Sequence, residues 1–279
     1  MRTNLIQKLS ATVILLLTLV FLCFDNSVWA GESPQERLAK AEAMFLERCK
    51  TAGEKIYRTA ENVEGVLLMK IRPGITNYGD QFRLDDPYGH DSTEDEYIKS
   101  FLYGRNSNGY LAQPDRATRL GYRYVEAIDT ADGNRYRYTG SIKSVGKKYF
   151  NAPNIQAELN RNPNFDLNNY AFVLEKVPVS GPLPHYGVTY DEISTREERE
   201  YWIAGSTLKV IELGTNEIIA ERIGYMMDRG QGNNSGGRSP WLLAASYACP
   251  RFPTNGGSTD QISQSRNFVE KVLHIKQEK

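Results

Sequence analysis

The chain has 279 residues, with 34 basic and 34 acidic side chains and a formal net charge of zero. Apolar residues make up 40% and charged residues 24%, which excludes a disordered, collagen-like or polytopic membrane chain. There is no excess of positive charge to favour nucleic acid or an acidic lipid surface, so no nucleic-acid partner is expected.

Residues 1–30 read as a cleaved export signal. Arg2 and Lys8 make a positive start, residues 11–24 are apolar apart from Thr12 and Thr18, and Asp25, Asn26 and Ser27 end the run. Val28 and Ala30 suit the cleavage pocket, which places the mature N-terminus at Gly31. The apolar run is shorter than the roughly twenty residues that a spanning helix needs. Leu22 precedes Cys23 where a lipid-attachment site wants a small residue, so lipidation is not expected. Losing Arg2, Lys8 and Asp25 takes the net charge from zero to −1. Residues 31–279 are expected to form a single periplasmic domain with no stable membrane span. Two cysteines remain in it, Cys49 and Cys249, and an even pair in an oxidising compartment predicts a disulfide.

Ser33, Pro34 and Glu36 form a strong helix start, with Ser33 as cap and Glu36 three residues on. Leu38, Ala41, Phe45, Cys49, Ala52 and Ile56 follow at helical spacing and predict one buried face. Residues 65–72 read as a strand. Residues 73–118 are punctuated by glycine and proline and give a poorly defined loop region, with a short helix over 95–103. Residues 120–144 read as a hairpin about Asp132 and Gly133, with Tyr122, Tyr124, Glu126 and Ile128 alternating against Arg123, Val125 and Ala127. Such alternation predicts one wet and one packed face. A short helix near 155–159 and a strand over 170–177 come next. Pro182 and Pro184 then predict an exposed loop over 180–190, followed by a charged turn at 194–200.

Residues 201–213 and 217–227 read as a second hairpin, with Ile211, Leu213, Ile219, Ile223 and Tyr225 facing the core. A glycine–asparagine loop over 230–237, a helix over 241–248 and a final helix carrying Phe268, Val269, Val272 and Ile275 complete the chain. Together these elements predict an α+β fold. It has a curved antiparallel sheet of about six hairpin-connected strands, with the N-terminal helix and the C-terminal helices packed on it. The disulfide would tie the first helix to the helix after Ser239.

Catalytic signatures are absent. The three histidines, His90, His185 and His274, lack metal-ligand spacing, and neither HExxH nor GxSxG occurs. The acidic stretch around His90 lacks the spacing of a calcium loop. Ser206 to Lys209 by letter, the glycine–lysine run ending at Lys148, and the Gly230–Gly232 pair each miss the context or spacing of the motif they imitate. No cofactor and no metal are expected.

The reading is therefore a non-catalytic binding protein of the cell envelope, whose partner is another protein or an envelope component. One version is an immunity-type protein that neutralises a toxin. The alternative is a cell-wall or glycan hydrolase with a carboxylate pair, for which Asp191 and Glu192 are the first candidates. The expected binding residues are His185, Tyr186 and Tyr190 from one loop and Arg229 and Arg238 from the other. Long irregular segments on a rigid sheet often carry binding. The open end of the second hairpin is expected to bring the two loops together.

Overall fold

The computed structural model describes residues 32–74, 79–83, 88–89, 91–102, 121–252 and 261–276. The export signal, His90 and most of the 73–118 region lie outside the described residues. The chain divides between Lys40 and Ala41 into two units. In the first, helix α1 (Pro34–Cys49) begins with the expected capping box. The Glu36 amide donates to Ser33 Oγ at 3.3 Å, and the Ser33 amide donates to Glu36 Oε2 at 2.9 Å. These bonds hold the Glu36 carboxyl below its ordinary pKa.

The second unit contains the rest of α1 and a nine-stranded mixed sheet. Its strands are β1 (Gly53–Ile56), β3 (Gly65–Leu68), β4 (Tyr124–Ile128), β5 (Arg135–Lys147), β6 (Asn168–Pro178), β7 (Tyr186–Glu192), β8 (Ile203–Glu212), β9 (Glu217–Met227) and β10 (Ala248–Cys249). The order is β1-β9-β8-β7-β3-β4-β5-β6, with β10 also on β9. A separate parallel pair joins β2 (Ala60–Val63) to β11 (Leu273–Ile275).

The α+β class holds, but the sheet departs from expectation. It has nine strands, it is not strongly curled, and it is not purely antiparallel. Strand β3 lies parallel to both β4 and β7. The parallel step from β3 to β4 is made by a crossover through α2 (Glu94–Leu102), as parallel neighbours require. This helix is the one expected over 95–103, but its part as a crossover between parallel strands leaves no pattern in the sequence. Each side of β3 is then a meander, β4-β5-β6 on one and β7-β8-β9 on the other.

Further α-helices are α3 (Pro153–Arg161), α4 (Arg196–Glu200), α5 (Pro240–Ala244) and α6 (Gln264–Val272). The main core joins β3, β4, β7, β8 and β9 to α2 and α6 through residues such as Leu68, Phe101, Val125, Leu208 and Phe268. A smaller cluster contains Trp202 and Trp241, whose ring centroids are 5.0 Å apart. The first hairpin has no simple wet face, because Glu126 is as buried as Val125 and Ala127. Arg137 donates to Glu126 at 2.7 and 3.0 Å, and Arg135 lies 3.4 Å away. A buried carboxylate with two guanidiniums is tolerated where a lone one is not.

Cys49 and Cys249 form the expected disulfide, with Cα atoms 5.6 Å apart and 200 positions of sequence between them. Its far end is strand β10, not a helix, because the helix after Ser239 is only α5 (Pro240–Ala244). The first helix also stops earlier than its apolar spacing suggests. It ends at Cys49, and Ile56 is exposed on β1.

Candidate functional site

The predicted binding residues fall at different places. His185 is exposed, and its carbonyl accepts from the Leu213 amide at 2.8 Å, beside the β8–β9 turn. Tyr186 and Tyr190 are not on a loop, since β7 starts at Tyr186. Tyr186 is half-buried and pairs with Glu212, again near that turn. Tyr190 is buried, with its hydroxyl donating to the Ile71 carbonyl at 3.3 Å. Arg229 and Arg238 follow β9, at the open end of the same hairpin. The two predicted loops therefore adjoin opposite ends of the hairpin.

Arg238 is engaged within its own loop. It donates through both terminal nitrogens to the carboxylate of Asp228, which is fully buried. That carboxylate also accepts from the amides of Gly230 at 3.0 Å and Gly232 at 2.8 Å. The glycine–asparagine loop is thus wrapped around one aspartate. Arg229 is exposed, pairs with Glu42 at 2.7 Å and lies over the Tyr247 ring.

The hydrolase candidates are also engaged. Asp191 accepts from Lys70 at 2.5 Å, and Lys209 lies 3.5 Å away. The Lys70 bond chiefly holds its pKa below the ordinary value, opposite to what a general acid needs. Glu192 accepts from Arg199 and Ser194. Among the described residues, no group of three or more His, Cys, Asp or Glu side chains could hold a metal ion.

A different feature gathers convergent polar groups. A cavity of about 650 Å³ is bounded by β1, β9, α6 and the residues just after β10. Arg222 of β9 lines it and is only 4% exposed. Its Nη1 donates to the Gln264 carbonyl at 3.1 Å, while its Nε has no hydrogen bond. The guanidinium carbon lies 5.0 Å from the Tyr88 ring centroid and 5.9 Å from that of Phe268. Among the described residues Arg222 makes no ion pair. Burial is the main influence on its pKa and lowers it.

Arg72, 2% exposed, pairs with the buried carboxylate of Asp91. Its Nε is 3.6 Å from Asp91, and its Nη2 donates to Ser265 at 3.0 Å. Asp91 also accepts from the amides of Ser92 and Ser265. Among the described residues Arg222 is therefore a buried cation without an ion pair, on which Asp91 and Glu54 act only at longer range. A buried unpaired charge is costly.

Aromatic walls complete the cavity. Tyr88 is buried, its hydroxyl donates to the Pro250 carbonyl at 2.6 Å, and its ring lies 4.7 Å from that of Phe252. Burial pushes the Tyr88 hydroxyl up to a pKa of about 12. Tyr88 can lie flat on the sheet because position 224 is glycine, where a Cβ would come within 2.5 Å of the ring. Gly89 has a φ of +69°, and a Cβ there would meet Phe252 at 2.5 Å. Gln264 donates through Nε2 to the Tyr88 carbonyl at 2.6 Å, leaving its buried Oε1 without a hydrogen bond. No Ser, Thr, Cys or His lines the cavity among the described residues.

Sequence reasoning missed Arg222, Tyr88 and Gln264. The available signal was an arginine at a period-two position shared with Ala220, Gly224 and Met226, all buried on β9. Comparisons of the chain with protein-family models, with curated proteins and with solved structures find no match.

Proposed function

We propose that the protein is an exported, non-catalytic binding protein that takes an envelope component or another protein by an anionic group, in the cavity around Arg222. An immunity-type role is one form of this reading. The observation that carries it is a buried arginine with no ion pair among the described residues, set among aromatic rings in a cavity of about 650 Å³. Concave, largely apolar sites of about 300–1,000 Å³ with a few placed polar groups are the usual form of a ligand site. Export is supported by the signal-like N-terminus and by the disulfide, which suits an oxidising compartment. Among the described residues no helix is long and apolar enough to cross a membrane.

The test is thermal unfolding of the mature chain with benzoate, phenyl phosphate and benzenesulfonate. A ligand at a hundred times its Kd should add about 2.7 kcal/mol of stability. Saturable stabilisation by at least one anion, lost in Arg222→Gln, supports the reading. No stabilisation by any of them, or equal stabilisation of the folded variant, rejects it.

A further inference from the structure

The cavity is selective in its charge as well as its shape. Among the described residues its lining carries three cations, Arg222, Arg251 and Lys271, and two carboxylates, Glu54 and Glu270. Lys271 and Glu54 neutralise each other at 2.7 Å. The described lining therefore carries a net charge of +1, which suits a monoanion. The hydrogen-bonding groups favour the same choice. Arg222 Nε is a donor without a partner, and Gln264 Oε1 is an acceptor without one. A phosphate would bring a second negative charge and a third oxygen towards that acceptor. A carboxylate is planar, presents two oxygens to the guanidinium, and keeps its body among the rings. Tyr88, Phe252 and Phe268 provide that apolar volume.

We propose that the cavity binds a carboxylate carried directly on an aromatic or large apolar body. Two sources share this chemistry: a free organic acid, and the C-terminal residue of a peptide. The inference rests on the anion-binding reading above and narrows it to one ligand class. Arg222 receives the carboxylate, Tyr88 and Phe268 flank the guanidinium, and Phe252 covers the apolar body. None of these contacts involves bond making or breaking.

Isothermal titration of the mature chain tests this with matched probes. The first pair is N-acetyl-L-phenylalanine and N-acetyl-L-phenylalaninamide, which differ only in the charged group. The acid should bind about tenfold to a hundredfold more tightly, the range for one charge-assisted bond. Equal affinity, or no binding of the acid, overturns the proposal. Phe252→Ala should weaken the acid about tenfold while leaving its advantage over the amide, and an unchanged affinity would overturn the assigned wall. This variant changes a half-buried side chain outside the main core, so it keeps the test open if Arg222→Gln does not fold.

Two further probes separate the sources. Tighter binding of 3-phenylpropionate than of the peptide Ala-Ala-Ala-Phe points to a free acid, and the reverse points to a peptide end. Either result requires loss of affinity in the matching amide. Binding of phenyl phosphate but not of any carboxylate would overturn this inference and leave the anion-binding reading intact. Failure of every anion would remove both.

Discussion

Glu54 on β1 lies directly opposite Arg222 on β9 in the sheet register, yet its carboxylate pairs with Lys271 at 2.7 Å instead. Cross-strand neighbours of opposite charge usually stabilise one another. Here the acid is drawn to the α6 lysine, and the buried guanidinium keeps an open Nε. That choice of partner gives the cavity its positive floor.

Lys271→Ala should release Glu54 to interact with Arg222. The variant is expected to bind anionic probes several-fold more weakly with little loss of stability, because the Glu54–Lys271 pair is solvent-accessible and such pairs contribute about 0–1 kcal/mol. Titration calorimetry and thermal unfolding of the same sample check both halves.

The disulfide should matter to stability and to the cavity together. Cys249 is followed by Pro250 and Phe252 on the cavity wall, and the bond closes a loop spanning 200 positions. The chain-entropy model gives about 5 kcal/mol as an upper figure. The double variant Cys49→Ser, Cys249→Ser is expected to lose about 2–5 kcal/mol in denaturant unfolding, and to bind anionic probes more weakly under native conditions.

Arg238 should prove structural. Removing it leaves Asp228 buried without its cation, a change that typically costs about 3–5 kcal/mol for buried pairs. Its 23% side-chain exposure places Arg238→Ala at the low end of that range. Arg229→Ala, at an exposed pair, is expected to change stability by about 1 kcal/mol at most. Thermal unfolding of the two single variants separates them.

Tyr88 predicts an alkaline limb in stability. Its folded pKa, raised to about 12 by burial, exceeds the unfolded value near 10. The unfolded chain therefore loses its proton first. The contribution of the neutral hydroxyl is complete below about pH 10 and is lost as pH rises from there towards about 12. In Tyr88→Phe the decline over that window should be shallower than in the wild type, measured by denaturant unfolding at a series of pH values.

Much of the fold was legible in the sequence, for local reasons. The Ser33–Glu36 capping box, the turn at Gly133 and the β8–β9 hairpin all depend on residues close in sequence. The parallel neighbours of β3 did not announce themselves, because a four-residue strand and a distant crossover leave no periodic signal. Strand β7 was masked by the prolines just before it. The site was less legible still. Arg222, Tyr88 and Gln264 lie in three segments far apart in the chain, and what distinguishes Arg222 is that Asp91 and Glu54 pair elsewhere. No spacing rule encodes a missing counter-charge, whereas the conspicuous arginine of the glycine loop was already bound to Asp228.

The most direct measurement is the ¹⁵N–¹H resonance of the Arg222 Nε group during titration with N-acetyl-L-phenylalanine, assigned by comparison with Arg222→Lys. The account predicts a saturable shift of that resonance with the same Kd as calorimetry, and no shift with the amide. Binding that leaves the Arg222 Nε resonance in place, or a resonance that never responds to any anion, would contradict it.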